Sequence, residues 1–256
     1  MGILNLTPDS FYDGGKFRSS SDILRQTEKM LTEGATFIDV GGYSSRPGAE
    51  FVSETEELRR VIAVIELMVK TFPGILISVD TFRSQVAYKS IEAGACLIND
   101  ISSGTRDANM FETVARLSVP YVMMHSRGTA KTMQQQTDYD NLVKDILFYF
   151  SERIEKARQM GIADLIIDPG FGFAKSSEQN FELLSKLELL GMASLPMLVG
   201  VSRKSMIYKS LEINSQQSLN GTTILNTIAL SKGAHILRVH DVKEAMECIT
   251  LTAKLS

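Results

Sequence analysis

Four stretches of this chain are built on one plan, and the repetition narrows the folds open to it. EGATFIDV (33–40), EAGACLIND (92–100), MGIADLIID (160–168) and KGAHILRVH (232–240) each run from a helix end through a glycine stop and a small residue. Each then enters a short apolar strand that finishes in polar chemistry. Runs of the same kind give eight strand candidates, at 2–4, 37–40, 76–79, 97–99, 121–124, 165–167, 197–200 and 236–239. All are near-continuously apolar, the mark of strands covered on both faces. Amphipathic helical patterns separate them. Ser21 or Asp22 is expected to cap the first, with Ile23, Thr27, Met30 and Leu31 along one face. Ser53 with Glu56 reads as a capping box for the second, which Pro73 and Gly74 end after Phe72.

Strict alternation without a linker or a shift in composition predicts an α/β fold in one domain, 1–256: a (β/α)8 TIM barrel with long βα loops at its C-terminal face. An open doubly wound sheet is the alternative, because sequence does not display closure. With 44% hydrophobic residues in 256, the chain can bury one large core. Its formal charge of −3 and lack of like-charge runs give no footprint for nucleic acid or an anionic membrane, so an anionic ligand needs local basic residues. Apolar runs such as 195–201 are strand-sized and too short to span a bilayer. Cys96 and Cys248 lack metal-ligand spacing and no secretory leader precedes them, so reduced thiols and a cytoplasmic location are expected.

In such barrels chemistry sits at the C-terminal strand ends. Here those ends carry Asn5, Asp80, Asn99 with Asp100, His125, Asp168, then Ser202, Arg203 and Lys204, and finally Arg238, His240 and Asp241. Singly, each has a structural reading: Asp168 before Pro169 can cap a turn, Lys204 can be solvated, and His125 can be a hydrogen-bonded rim residue. Together they suit a ligand with a two-sided hydrogen-bonding edge, a pterin or a purine. Asp80 and Asp168 can accept from ring N–H and amino groups, Asn99 can give and accept, and Lys204 can donate to a ring carbonyl or nitrogen. Arg238 and His240 fall beside Asn5 if strand eight closes onto strand one, a neighbourhood for phosphate or diphosphate. A helix beginning near Ser205 offers free backbone N–H groups to a second anion such as a carboxylate. Of three long polar loops (6–20, 41–52 and 126–140), the first two hold glycine and proline on adjacent strands and can cover the mouth together.

The motifs MGILNLTPDSFYDGG, DVGGYSSRPGA, ISVDT, LIND, VMMH, DPGFGF, VGVSRKS, GTTILNTIAL and RVHDV stand in the order and at the spacing of bacterial dihydropteroate synthases, and the resemblance covers essentially the whole chain. It implies an enzyme of folate biosynthesis that joins p-aminobenzoate to 6-hydroxymethyl-7,8-dihydropterin diphosphate. The products are 7,8-dihydropteroate and diphosphate, formed by an SN1-like, Mg2+-assisted displacement, and sulfonamides act as inhibitors. The resemblance also implies a homodimer formed through outer helices far from the mouth. It puts the pterin among Asp80, Asn99, Asp168, Lys204 and Arg238, and the diphosphate among Asn5, Ser45, Arg46, Arg238 and His240. Mg2+ falls to Asn5 and Asp13, and p-aminobenzoate to Phe11, Ser45, Pro47, Phe173, Lys204 and Ser205. Asn5, Asp13, Lys204, Arg238 and His240 are the implied catalytic set. The chain departs from the family pattern GGESTRPG at Tyr43 and Ser45, and it begins at MGILN, where relatives usually carry a preceding segment, so a first strand truncated at its start is expected. Other readings are a methyltetrahydrofolate-dependent methyltransferase type of pterin barrel, an inactive pterin-binding regulatory barrel, and a Schiff-base aldolase using Lys204.

Overall fold

Parallel strands alternate with helices in the computed structural model, which describes residues 1–6, 19–43, 51–129 and 132–255, with two helices between the last two strands. The strands are β1 Gly2–Asn5, β2 Phe37–Gly41, β3 Leu76–Asp80, β4 Leu97–Asp100, β5 Tyr121–Met124, β6 Leu165–Asp168, β7 Leu198–Val199 and β8 Ile236–Leu237. The helices are α1 Ser20–Thr32, α2 Glu54–Thr71, α3 Ser84–Glu92, α4 Met110–Leu117, α5 Leu142–Gln159, α6 Ser177–Ser185, α7 Ser205–Ser210, α8 Leu219–Ser231 and α9 Val242–Thr252. Strands β1 to β6 pair in sequence order and β7 pairs with β8, all parallel. Single bridges, Ile167 to Met197 and Gly2 to Val239, join the two sheets at both edges. Across the second seam, Ile3 N donates to Val239 O at 2.9 Å and Val239 N to Met1 O at 3.0 Å. The barrel is therefore closed and the open sheet is excluded. The single-bridge seams also explain why β7 and β8 are shorter than the apolar runs that announce them.

Two helix starts differ in detail from the sequence expectation. Ser19, rather than Ser21 or Asp22, caps α1, its Oγ accepting from Asp22 N at 3.2 Å. Ser53 caps α2 through Glu56 N at 3.2 Å, but the Glu56 carboxylate turns away to Arg59 and Arg60 instead of closing a reciprocal box. The Arg59 pair is exposed and the Arg60 pair half-buried, and such surface pairs contribute little.

The two-residue strand period sorts side chains between two cores. Ile38, Val40, Ile77, Val79, Ile98, Tyr121, Met123, Leu165 and Ile167 point outward beneath the helices. Leu97, Val122, Ile166 and Leu198 fill the barrel's lower interior with Phe37 and Ile236 against them. This apolar plug closes the floor, so the next inward layer, two residues further along each strand, is the floor of the mouth. Asp39, Ser78, Asn99, Asp168 and Arg238 lie there or just above it.

Candidate active site

Asp39 lies at the centre of the mouth floor, completely buried. Ser78 Oγ donates to its Oδ1 at 2.5 Å, while Asn99 Nδ2 at 3.1 Å and Arg238 Nε at 2.7 Å donate to Oδ2. Arg238 then reaches across to Asp80, Nη2 to Oδ2 at 2.8 Å. One guanidinium thus spans two carboxylates on neighbouring strands, each of which would be costly to leave unpaired in a closed barrel. Against the cost of burial, those two carboxylates hold Arg238 above the ordinary arginine range.

The register explains why these groups meet. Asn5 pairs with Gly41, Gly41 with Asp80, and Asp80 with Asn99, so they form one level around the rim. A Cβ on Gly41 would stand 3.6 Å from Asp80 Cβ and 3.7 Å from Asn5 Oδ1, and one on Gly200 would stand 3.9 Å from Lys204 Nζ. The two glycines keep space open between polar groups that a side chain would fill. Adjacent residues on a strand face opposite ways, which separates Asn99 from Asp100. Asp100 turns outward, where Tyr121 Oη at 2.6 Å, Ser102 and Gly104 N surround it, so it is no part of the mouth.

On the far side, Asp168 Oδ1 accepts from Gly170 N at 2.7 Å in the turn after β6. Burial pushes this carboxyl up, against the pull of Lys204. Lys204 donates to the Phe171 carbonyl, and its Nζ lies 5.0 Å from the centroid of the Phe173 ring. Burial pushes the Lys204 amine down to about 8, against the pull of Asp168. A glycine is required at Gly170, where φ is +69° and a Cβ would collide with the His125 carbonyl oxygen. Gly170→Ala is expected to cost about 3 kcal/mol, from left-handed strain plus overpacking, in a urea unfolding titration.

Behind Lys204, Arg203 forms a fork with Asp241 (Nε–Oδ2 2.7 Å, Nη2–Oδ1 2.8 Å), and Ser202 Oγ lies 3.0 Å from His240 Nδ1. The turns after β7 and β8 are thereby braced together, with His240 and Arg238 on the side nearest β1 and Asn5. Ser205 opens α7, as the sequence predicts.

The remaining expected site residues, Phe11, Asp13, Ser45, Arg46 and Pro47, lie outside the described residues. Tyr43, at the start of the second loop, stacks edge-on against Phe82 at 5.1 Å and lies beneath Arg83 at 5.4 Å. Arg83 in turn pairs with the buried Glu57 at 2.5 Å and donates to Val52 O at 2.7 Å. Tyr43 is therefore part of the wall between α2 and β3.

Sequence reasoning missed Asp39 and Lys175. Asp39 is legible in hindsight as an acid inside the apolar run FIDV, two residues before Gly41. Lys175, buried behind the Asp168 turn, has no comparable signal.

The arrangement offers a planar ligand a mixed edge. Among the described residues, Asp80 and Asp168 each retain an oxygen for ring or amino N–H donors and Asn99 retains its amide oxygen, while Lys204 can turn from the Phe171 carbonyl to a ligand acceptor. Burial pushes the Asp80 carboxyl up to about 7, against the pull of Arg238. An acceptor role needs the ionised form, so binding of a ring N–H ligand is expected to weaken as pH falls through about 7, by up to about tenfold per pH unit. Titrating 6-hydroxymethylpterin from pH 8 to pH 5.5 against wild type and Asp80→Asn checks this, and the variant should lose that acid limb.

The sequence pattern of one family, described as "Pterin binding enzyme", matches residues 1–240. The dihydropteroate synthase of Escherichia coli strain K12 is 45% identical over 261 residues, covering 99% of this chain and 92% of that protein. That of Synechocystis is 44% identical over 256 residues, covering 99% and 88%. Among solved structures, Yersinia pestis dihydropteroate synthase in complex with a sulfonamide drug superposes with a TM-score of 0.95 at 44% identity, covering 100% of this chain and 92% of that one. The Xanthomonas albilineans enzyme with 4-aminobenzoic acid gives 0.91 at 39%, covering 100% and 92%.

Proposed function

Because this chain belongs to the pterin binding enzyme family, among its dihydropteroate synthases, we propose that its mouth condenses 6-hydroxymethyl-7,8-dihydropterin diphosphate with p-aminobenzoate. The observation that carries this reading is the polar layer itself: Arg238 held between Asp39 and Asp80, with Asn99, Asp168 and Lys204 completing a donor and acceptor edge above an apolar floor. The pterin edge meets Asp80, Asn99, Asp168 and Lys204, while Arg238 covers the ring. Asn5, Arg238 and His240, with Ser45 and Arg46 from the second loop, receive the diphosphate. Phe173, Lys204 and Ser205, with Phe11, Ser45 and Pro47, receive p-aminobenzoate, and sulfonamides compete for the same place.

The reaction needs no side-chain nucleophile. As the bond from the exocyclic carbon to diphosphate lengthens, positive charge spreads into the pterin, and the carboxylates along its edge stabilise it. Arg238 and His240 stabilise the charge growing on the leaving group. The arylamine then attacks the carbon and loses a proton. Asn5 supplies an amide oxygen at the rim beside the diphosphate position, and Mg2+ takes hard oxygen ligands, one or two from protein and the rest from water and phosphate. Asn5, with Asp13 from the first loop, would hold such an ion, which would supply charge neutralisation at the diphosphate.

Among the described residues no helix is long and apolar enough to cross a membrane. Two free cysteines, Cys96 and Cys248, fit a reducing cytoplasm. Ile224 and Ile228, 51% and 37% exposed on one face of α8, support a homodimer through the outer helices, which sedimentation would read directly. Diphosphate release on mixing both substrates tests the function. Release should need both substrates, fall on removing Mg2+ and fall again with a sulfonamide. No release under any of these conditions would refute it.

A further inference from the structure

The turn that follows β6 supplies three features of the mouth at once: the orientation of Asp168, the Phe171 carbonyl that receives Lys204, and the Phe173 ring beside it. Nothing in that turn is regular structure. Gly170, Gly172 and Ala174 all have positive φ (+69°, +80° and +49°), and one backbone bond, Phe173 N to Gly170 O at 3.1 Å, closes it. A backbone held this far from common conformations persists only where its surroundings fix it.

Asp168 Oδ1 accepts from Gly170 N and Asn180 Oδ1 from Gly172 N, each at 2.7 Å, and the turn's carbonyls are gathered by the amine of Lys175, 3% exposed. Its Nζ lies 3.0 Å from each of three acceptors: the Gly170 carbonyl, the Phe173 carbonyl and Nδ1 of His125 at the end of β5. Three acceptors match the three N–H donors of an ammonium, provided His125 is neutral with Nδ1 bare. Burial and the nearby Lys175 and Arg127 charges push His125 well below the usual histidine range, which keeps the ring neutral, and the 3.0 Å contact with the amine assigns the bare nitrogen to Nδ1. Its ring is wedged against Tyr149, Phe150 and Tyr139, and Tyr139 Oη donates to Ala174 O at 2.9 Å. The charged groups around the amine are Asp168, Lys204 and Arg127, and burial lowers it to about 7 in their company.

We propose that Lys175, braced by His125, is a positioning residue that sets the 170–173 turn so that the Phe173 ring and the Lys204 amine meet the arylamine substrate. It touches no reacting atom. The inference rests on the synthase reading. It separates the two substrates by degree: the arylamine wall contributed by Phe173 lies wholly in this turn, whereas the pterin edge touches it only through Asp168 and Lys204 and draws Asp80 and Asn99 from other strands.

Lys175→Met removes the donors while keeping an unbranched side chain one atom shorter, and His125→Asn keeps an acceptor that His125→Leu removes. Wild-type turnover is measured first, and its absence would count against the synthase reading alone. With wild type active, Lys175→Met should raise the p-aminobenzoate KM about tenfold while leaving 6-hydroxymethylpterin affinity within about threefold. His125→Leu should reproduce that split, His125→Asn should recover most of it, and the Lys175→Met/His125→Leu double variant should be no worse than either alone. An unchanged p-aminobenzoate KM in folded Lys175→Met, or equal losses for both ligands, would overturn the proposal. Should Lys175→Met fail to fold, the histidine pair decides: equal behaviour of His125→Leu and His125→Asn would overturn it as well.

Discussion

Arg238→Met is expected to lower the stability of the fold by about 4 kcal/mol and to reduce turnover to background. The guanidinium is the cation that bonds both Asp39, whose side chain is fully buried, and Asp80, 17% exposed. Removing one member of a buried ion pair costs about 3 to 5 kcal/mol, because the partner's charge stays behind without compensation. Asp39 keeps its bonds from Ser78 and Asn99, and Asp80 has access to the mouth, which places the loss within that range rather than at twice it. A urea titration reads the stability. Adding Asp39→Asn to Arg238→Met should return part of the loss, since the second change removes the stranded charge, and a strictly additive double variant would contradict the shared network.

Asp168→Asn and Lys204→Met should each reduce kcat/KM by about 2 to 4 kcal/mol, roughly 30- to 1000-fold, with the fold retained. In Asp168→Asn the new side chain would still accept from Gly170 N, so the turn is kept, but its amide would present donors where the ligand also presents donors. Lys204→Met keeps the hydrophobic stem over Gly172 and removes the charge beside Asp168. Steady-state kinetics with both substrates varied separates these effects. Loss for the pterin substrate should exceed loss for the arylamine in Asp168→Asn, whereas Lys204→Met should affect both.

The barrel was legible because four of its helix-to-strand connections carry the same punctuation. Gly34, Gly94, Gly161 and Gly233 all take positive φ just after helix ends, and the strand begins three or four residues later. Closure could not be read, because it depends on single bridges at Gly2 and Ile167 that leave no mark in a run of apolar residues. Asn99 and Asp168 stand out as polar residues ending apolar strands, and both face the mouth. Asp100 has the same appearance and faces the other way, a difference that strand alternation alone decides. Asp39 was hidden for the complementary reason: it sits one pleat below the rim, inside the strand, where an acid looks like an interruption. Lys175 was illegible, since its acceptors exist only once the glycine-rich turn has folded back over His125.

Whether the polar layer of the mouth is the pterin site is tested most directly by a crystal structure with pteroic acid bound. The pterin edge should lie within hydrogen-bonding distance of Asp80, Asn99 and Asp168, with Arg238 over the ring and the benzoate end beyond Phe173 towards Ser205. A pterin bound elsewhere, or reversed so that its donor edge points away from these carboxylates, would contradict it.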